Sequence, residues 1–216
     1  MMLPRDGVQG AQRVSASQSL KVRRPPKNLR DQIRRDEIVS AARTCVVRHG
    51  FHAASMGEIA AAARMSVGQI YRYFPNKEAI IHAIVERIVA QRLLEMVATV
   101  GAGDMATALA APLAADLSDV QRDDQILMLE VIAEATRNAA VAEIVHQADR
   151  RLHDQAVPSL MREYPSLSLA EASARVELLA VLFEGTLMRR IAGHRDDAVP
   201  IGLYRDVIER VLPATR

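Results

Sequence analysis

The chain has 216 residues, half of them hydrophobic, with four Tyr, three Phe, no Trp and a single cysteine, Cys45. Its net charge of +2 conceals a division: residues 1–77 hold 14 Lys+Arg against 5 Asp+Glu, whereas residues 78–216 hold 14 against 21. No stretch approaches the roughly 20 apolar residues of a membrane span, no apolar leader core is visible, and one thiol cannot make an intrachain bridge, so a membrane protein and a disulfide scaffold are set aside and a cytoplasmic location is expected.

Residues 1–30 carry Gly, Ser, a Pro-Pro pair and scattered bases without an apolar period, and read as a flexible basic arm. From Asp31 the pattern turns helical. Ile38, Ala41, Ala42 and Cys45 recur at i, i+3, i+4 and i+7, with Arg34, Arg35, Arg43 and Arg48 largely off that stripe. Gly50 supplies the left-handed position that stops the helix. Cys45, on the stripe, is expected in the core.

Two start signals of one kind follow, eleven residues apart. Ser55-Met-Gly-Glu58 and Ser66-Val-Gly-Gln69 both fit a capping box, with Ser at the N-cap and Glu or Gln at N3. The first helix therefore has room for about two turns, through Ile59, Ala60 and Ala63, before the chain turns at Arg64-Met65. The second runs from Ser66 through Phe74, where Pro75 breaks it and Asn76 caps a further start. On a helical wheel Val67, Ile70 and Phe74 face inward. Gly68, Gln69, Arg72 and Tyr73 then face outward, with Tyr71 between. The chemistry of the outer set suits a DNA duplex: Gln69 matches adenine N6/N7, Arg72 guanine or phosphate, and the tyrosine hydroxyls and Lys77 phosphate oxygens.

Residues 38–86, IVSAARTCVVRHGFHAASMGEIAAAARMSVGQIYRYFPNKEAIIHAIVE, resemble the DNA-binding domain of the TetR (tetracycline-repressor-like) family of transcription regulators. The matching elements are Gly50-Phe51, Ser55, Ile59-Ala60, Ser66-x-Gly68, Ile70-Tyr71-x-Tyr73-Phe74 and Asn76-Lys77-Glu78. The resemblance implies phosphate contacts from Ser55, Ser66, Tyr71, Tyr73 and Lys77, and base-edge contacts from Gly68, Gln69 and Arg72. Arg64 stands where relatives often carry Gly, which predicts a positive φ at a non-glycine residue. Gly57 stands where a longer polar side chain is often found.

Beyond Lys77 a helix continues to about Val100, and further helices are expected near 104–117, 124–137, 140–163, 168–192 and 201–212. In the fifth of these six, Val176, Leu179, Phe183 and Leu187 form one apolar stripe and Leu178, Leu182 and Met188 another, so burial on two sides is expected. Gly185 is assigned to a dimer contact. The whole is read as all-α: an arm (1–30), a three-helix helix-turn-helix domain (31–82) and an effector-binding and dimerisation domain (83–216). The function implied is a ligand-responsive repressor, binding a palindromic operator as a homodimer and released by an unidentified small molecule, with no cofactor, metal or catalytic residue and no membrane partner. Two alternatives stand beside it. One is a helical-bundle metalloenzyme using the Glu130/Glu134 or His146/His153 faces; the other is a sequence-tolerant DNA-coating protein without an effector.

Overall fold

A computed structural model of the chain describes residues 26–99, 104–193 and 199–213. Among these residues all regular structure is α-helical: α1 (Lys27–Ala53), α2 (Met56–Ala62), α3 (Val67–Tyr71), α4 (Lys77–Thr99), α5 (Met105–Ala114), α6 (Asp119–Ala135), α7 (Ala139–Glu163), α8 (Leu169–Ile191) and α9 (Ile201–Val211). Residues 1–25 of the basic arm lie outside the described residues. Helix α1 begins at Lys27, four residues ahead of the expected start, directly after Pro26.

The stripe read from the sequence is the buried side of α1: Ile38, Val39, Ala42, Cys45 and Val46 are all in the core. Burial raises the Cys45 thiol above its ordinary value, so it stays protonated and inert. Gly50 has the expected positive φ (81°), but its ψ of 166° is that of an extended, glycine-only conformation rather than a left-handed cap. The helix is kinked there and resumes for Phe51–Ala53.

Apart from α1 and α9, which follow Pro26 and Pro200, the helix starts are set by side-chain caps. Asn76 Oδ1 accepts from the Ala79 N–H at 2.8 Å and opens α4. Ser118 and Gln121 form a capping box, so α6 starts at Asp119, where a break through 118–124 was expected. Ser168 and Glu171 form another at α8. Pro112 lies inside α5, which runs two residues further. The buried Arg190 of α8 reaches this end of α5 and donates to the carbonyls of Pro112 and Leu113, which the helix leaves without internal partners.

Two apolar clusters organise the molecule. One joins α1, α2, α3 and the first half of α4 to Leu127 and Val131 of α6 and Val141 and Ala148 of α7. The other joins α5, the C-terminal half of α7, α8 and α9. The small helices that precede α4 therefore share their core with the larger part. Helix α8 is buried on one side only: Ala172 and Leu179 pack inward, whereas Leu178, Val181 and Met188 are 57%, 60% and 57% exposed.

Candidate nucleic-acid interface

Both short helices begin as their sequences specify. Ser55 Oγ accepts from Glu58 N–H at 3.2 Å, and Glu58 Oε2 accepts from Ser55 N–H at 2.9 Å. In α3 the same reciprocal pair forms: Gln69 N–H donates to Ser66 Oγ at 3.2 Å, and Ser66 N–H donates to Gln69 Oε1 at 2.8 Å. Each box stabilises its helix by about 1 kcal/mol, which matters for elements of seven and five residues that cannot stand alone. The intervening turn closes with Met65 N–H on Ala60 O (2.9 Å) and Arg64 N–H on Ala61 O (3.1 Å), the hydrogen-bond pattern of a Schellman stop. Arg64 takes the left-handed position, φ 54°, and is the one non-glycine with positive φ among the described residues. A side chain there costs about 1 kcal/mol relative to glycine.

The outward surface of α3 differs in part from the helical-wheel expectation. Ile70 and Phe74 are fully buried, but Val67, at the first helical position, is 41% exposed. The helix ends at Tyr71; Arg72 N–H and Tyr73 N–H then bond three residues back, to Gln69 O and Ile70 O. This tighter turn shifts the last residues around the axis. Tyr71 consequently points out, 52% exposed, while Tyr73 is half-buried against the core, the reverse of the expected order. Ser55, Ser66, Gly68, Gln69 and Arg72 are all exposed.

Two details bear on recognition chemistry. A Cβ added at Gly68 meets nothing within 4 Å, so nothing inside the fold requires glycine there. Gln69 has its carbonyl oxygen committed to Ser66 N–H, leaving only the amide NH2 free. A bidentate grip on adenine uses an acceptor and a donor together; in this arrangement the Gln69 oxygen already serves the helix cap and the NH2 is its unengaged group.

Lys77 is engaged within the fold. Its ammonium donates to Phe51 O at 2.9 Å and sits 4.0 Å from the centre of the Phe51 ring. Burial pushes its pKa down, partly offset by Glu134 and Glu78. The side chain is turned toward Phe51 of α1. Arg35, which carries no marker in the sequence beyond lying off the apolar stripe, donates to Tyr73 O at 2.7 Å and stacks on Phe74 at 4.3 Å.

The larger part meets this unit through an acidic face of α6. Asp124 pairs with Arg43, Glu130 accepts from Phe51 N–H, and Glu134, 5% exposed, pairs with His52 and Arg137. The Glu130/Glu134 face is thereby occupied with structural partners. Of the His146/His153 face, His153 bonds Ser173 at 2.9 Å, and no group of three or more His, Cys, Asp or Glu is arranged to hold a metal among the described residues. No described helix is long and apolar enough to cross a membrane.

A capped scaffold helix, a tight turn and an exposed second helix, mounted on a larger helical body, define a helix-turn-helix DNA-binding transcription regulator. The chain belongs to the TetR family: residues 38–84 match the model of bacterial regulatory proteins of the tetR family, and residues 100–214 match the tetracyclin repressor-like C-terminal domain. It is 34% identical over 113 residues to the HTH-type transcriptional regulator UidR of Escherichia coli (strain K12), covering 50% of this chain and 55% of that protein. The chain thus spans about half the length of the curated relatives it matches. Salmonella enterica GusR has the same fold, with a TM-score of 0.70 at 23% identity over 83% of this chain and 95% of that one. So does the multidrug binding protein EbrR complexed with malachite green, with a TM-score of 0.63 at 19% identity over 84% and 99% of the two chains. The family consists of transcription regulators, not enzymes.

Proposed function

We propose that the chain is a ligand-responsive repressor that binds a palindromic operator as a homodimer and leaves it when a small molecule binds the larger part. The observation that carries the reading is the outer surface of α3, where Gly68 leaves open space beside the exposed Gln69 and Arg72. Gly68 lets the backbone approach base edges, Gln69 donates one hydrogen bond to a base, and Arg72 reaches guanine or phosphate. Ser55, Ser66 and Tyr71 flank them and supply phosphate contacts, with the Tyr73 hydroxyl at the margin.

The bare side of α8 supports dimerisation. Ala174, Leu178, Val181, Gly185 and Met188 fall at i, i+4, i+7, i+11 and i+14 along one exposed line, and a Cβ added at Gly185 meets nothing within 4 Å. An apolar stripe with a glycine at its middle suits close helix–helix packing against a second copy. A two-fold axis there sets two α3 helices for successive major grooves, about 34–36 Å apart. The malachite green complex of EbrR supports a body of this fold as a receptor for small molecules. Effector binding shifts the population toward a spacing that misses the operator, by no more than the effector's differential affinity for the two states. Footprinting on the DNA flanking the gene tests this: protection of two inverted half-sites is expected, and uniform or absent protection contradicts it.

A further inference from the structure

The kink at Gly50 lies where three elements converge. With φ 81° and ψ 166° at Gly50, the Phe51 N–H leaves the helical ladder, and a carboxylate from α6 takes it: Glu130 Oε2 is 2.9 Å away. That same oxygen lies 3.2 Å from where a Cβ would stand on Gly50, so glycine suits the backbone angle and leaves the carboxylate room to approach. The other side of the same residue is held from the opposite direction. Phe51 O accepts from Lys77 Nζ at 2.9 Å, and the lysine's charge lies over the buried Phe51 ring. Lys77 is the first residue of α4, three positions past the buried Phe74 that anchors the end of the recognition segment.

We propose that Lys77 is a positioning residue and not a phosphate contact: Phe51, held at its N–H by Glu130 and at its carbonyl by Lys77, links α6 to the start of α4 and so fixes the recognition helix relative to the larger part. Both hydrogen bonds involve a full charge and are the stronger kind. The ammonium already has a carbonyl and a ring face as partners, and a phosphate would have to compete with them for it. A parallel contact runs beside it. His52 Nε2 lies 3.3 Å from Glu134 Oε2, and the side-chain amide of Asn138 lies 3.4 Å from Glu134 and 3.5 Å from Glu78, the neighbour of Lys77. The polar groups of α6 and those at the start of α4 thus meet around one short segment of α1. The inference rests on the DNA-binding reading and goes beyond it by naming the residues through which the body sets the reading head.

The test uses a duplex that the wild-type protein enriches from a random pool, with Lys77→Gln, Glu130→Ala, Glu130→Gln, the Lys77→Gln/Glu130→Ala double variant, and Arg72→Gln as the control. Lys77→Gln and Glu130→Ala each weaken binding by about tenfold while the slope of log K against log salt stays at the wild-type value. Arg72→Gln lowers that slope by about one. The double variant loses no more than the worse single one, because the two residues act through a shared group. Glu130→Gln, which keeps an acceptor oxygen for Phe51 N–H, recovers most of the loss. A slope lower by about one in Lys77→Gln, or additive losses in the double variant, overturns the proposal. Should Lys77→Gln not fold, amide exchange across residues 67–71 of the DNA-free protein decides: faster in Glu130→Ala and restored in Glu130→Gln supports the link, and unchanged exchange overturns it. A wild-type protein that enriches no duplex refutes the DNA reading instead, and the exchange comparison still judges the link.

Discussion

The guanidinium of Arg35 lies 4.3 Å from the centre of the Phe74 ring and donates to Tyr73 O at 2.7 Å. The first helix thus holds the end of the recognition segment. Lys77 treats Phe51 in the same manner, a charge over the ring and a donor on a carbonyl. Two of the three phenylalanines in an aromatic-poor chain are used this way. Replacing Arg35 by Gln removes the ring contact and shortens the donor. A loss of about 1–2 kcal/mol is expected in denaturant unfolding, together with faster amide exchange in residues 67–74 than elsewhere in the first helices.

Gly68 separates stability from function. Its added Cβ meets nothing within 4 Å and its φ is not positive, so Gly68→Ala is expected to stabilise the protein by about 0.5–1 kcal/mol. On the proposed reading the same methyl would stand between the backbone and the duplex, and weaker operator binding is expected. Thermal unfolding and a binding titration on one sample check both signs; a variant that is more stable and binds equally well removes the close-approach argument.

On the proposed reading Gln69 has two jobs, a helix cap and a base contact, that a single substitution can part. Glu at this position keeps the oxygen that accepts from Ser66 N–H but has no amide NH2 to offer a base. Gln69→Glu is expected to fold with wild-type stability, within about 0.5 kcal/mol, and to lose preference for the selected duplex over random DNA. Gln69→Ala loses both, the helix cap included.

A side chain at Gly50 is strained, because its backbone lies in a region that favours glycine, and the Glu130 carboxylate, 3.2 Å from the Cβ position, would have to shift. Gly50→Ala is expected to cost about 1–3 kcal/mol in urea unfolding. An unchanged midpoint contradicts the kink.

Gly185 tests the two-fold contact. Leucine there projects into open space in the single chain but into the partner helix of the proposed dimer. Gly185→Leu is expected to run as a monomer by light scattering with its helical content intact. A dimer of unchanged mass moves the interface elsewhere.

The sequence carried what local chemistry decides. Ser55/Glu58 and Ser66/Gln69 form the boxes their spacing demands, and Arg64 takes the positive φ that a missing glycine implied. What it could not carry is the consequence of an early stop. The wheel assumed helix through Phe74, whereas α3 ends at Tyr71, so Tyr71 and Tyr73 exchange places and Val67 lies at an exposed tip. The α6 start was missed because Ser118 and Gln121 lie among acids and a break that resemble a loop, although they form the same kind of box as the two recognised upstream.

Contacts between distant residues left no local trace. Arg35 and Tyr73 are separated by 38 positions, Lys77 and Phe51 by 26, and Glu130 and Phe51 by 79. Nothing in the immediate sequence of Lys77 distinguishes a lysine that meets phosphate from one folded over a ring. The Glu130/Glu134 face was visible; that it meets the kink at Gly50 was not.

Selection of bound duplexes from a random pool by the full-length protein tests the central claim most directly, that the outer face of α3 reads base edges in a two-fold arrangement. The account predicts enrichment of inverted half-sites about 10 base pairs apart, centre to centre, or a multiple of that spacing, with the preference falling in Gln69→Glu. Enrichment of no sequence, or of one that Gln69→Glu enriches equally, contradicts it.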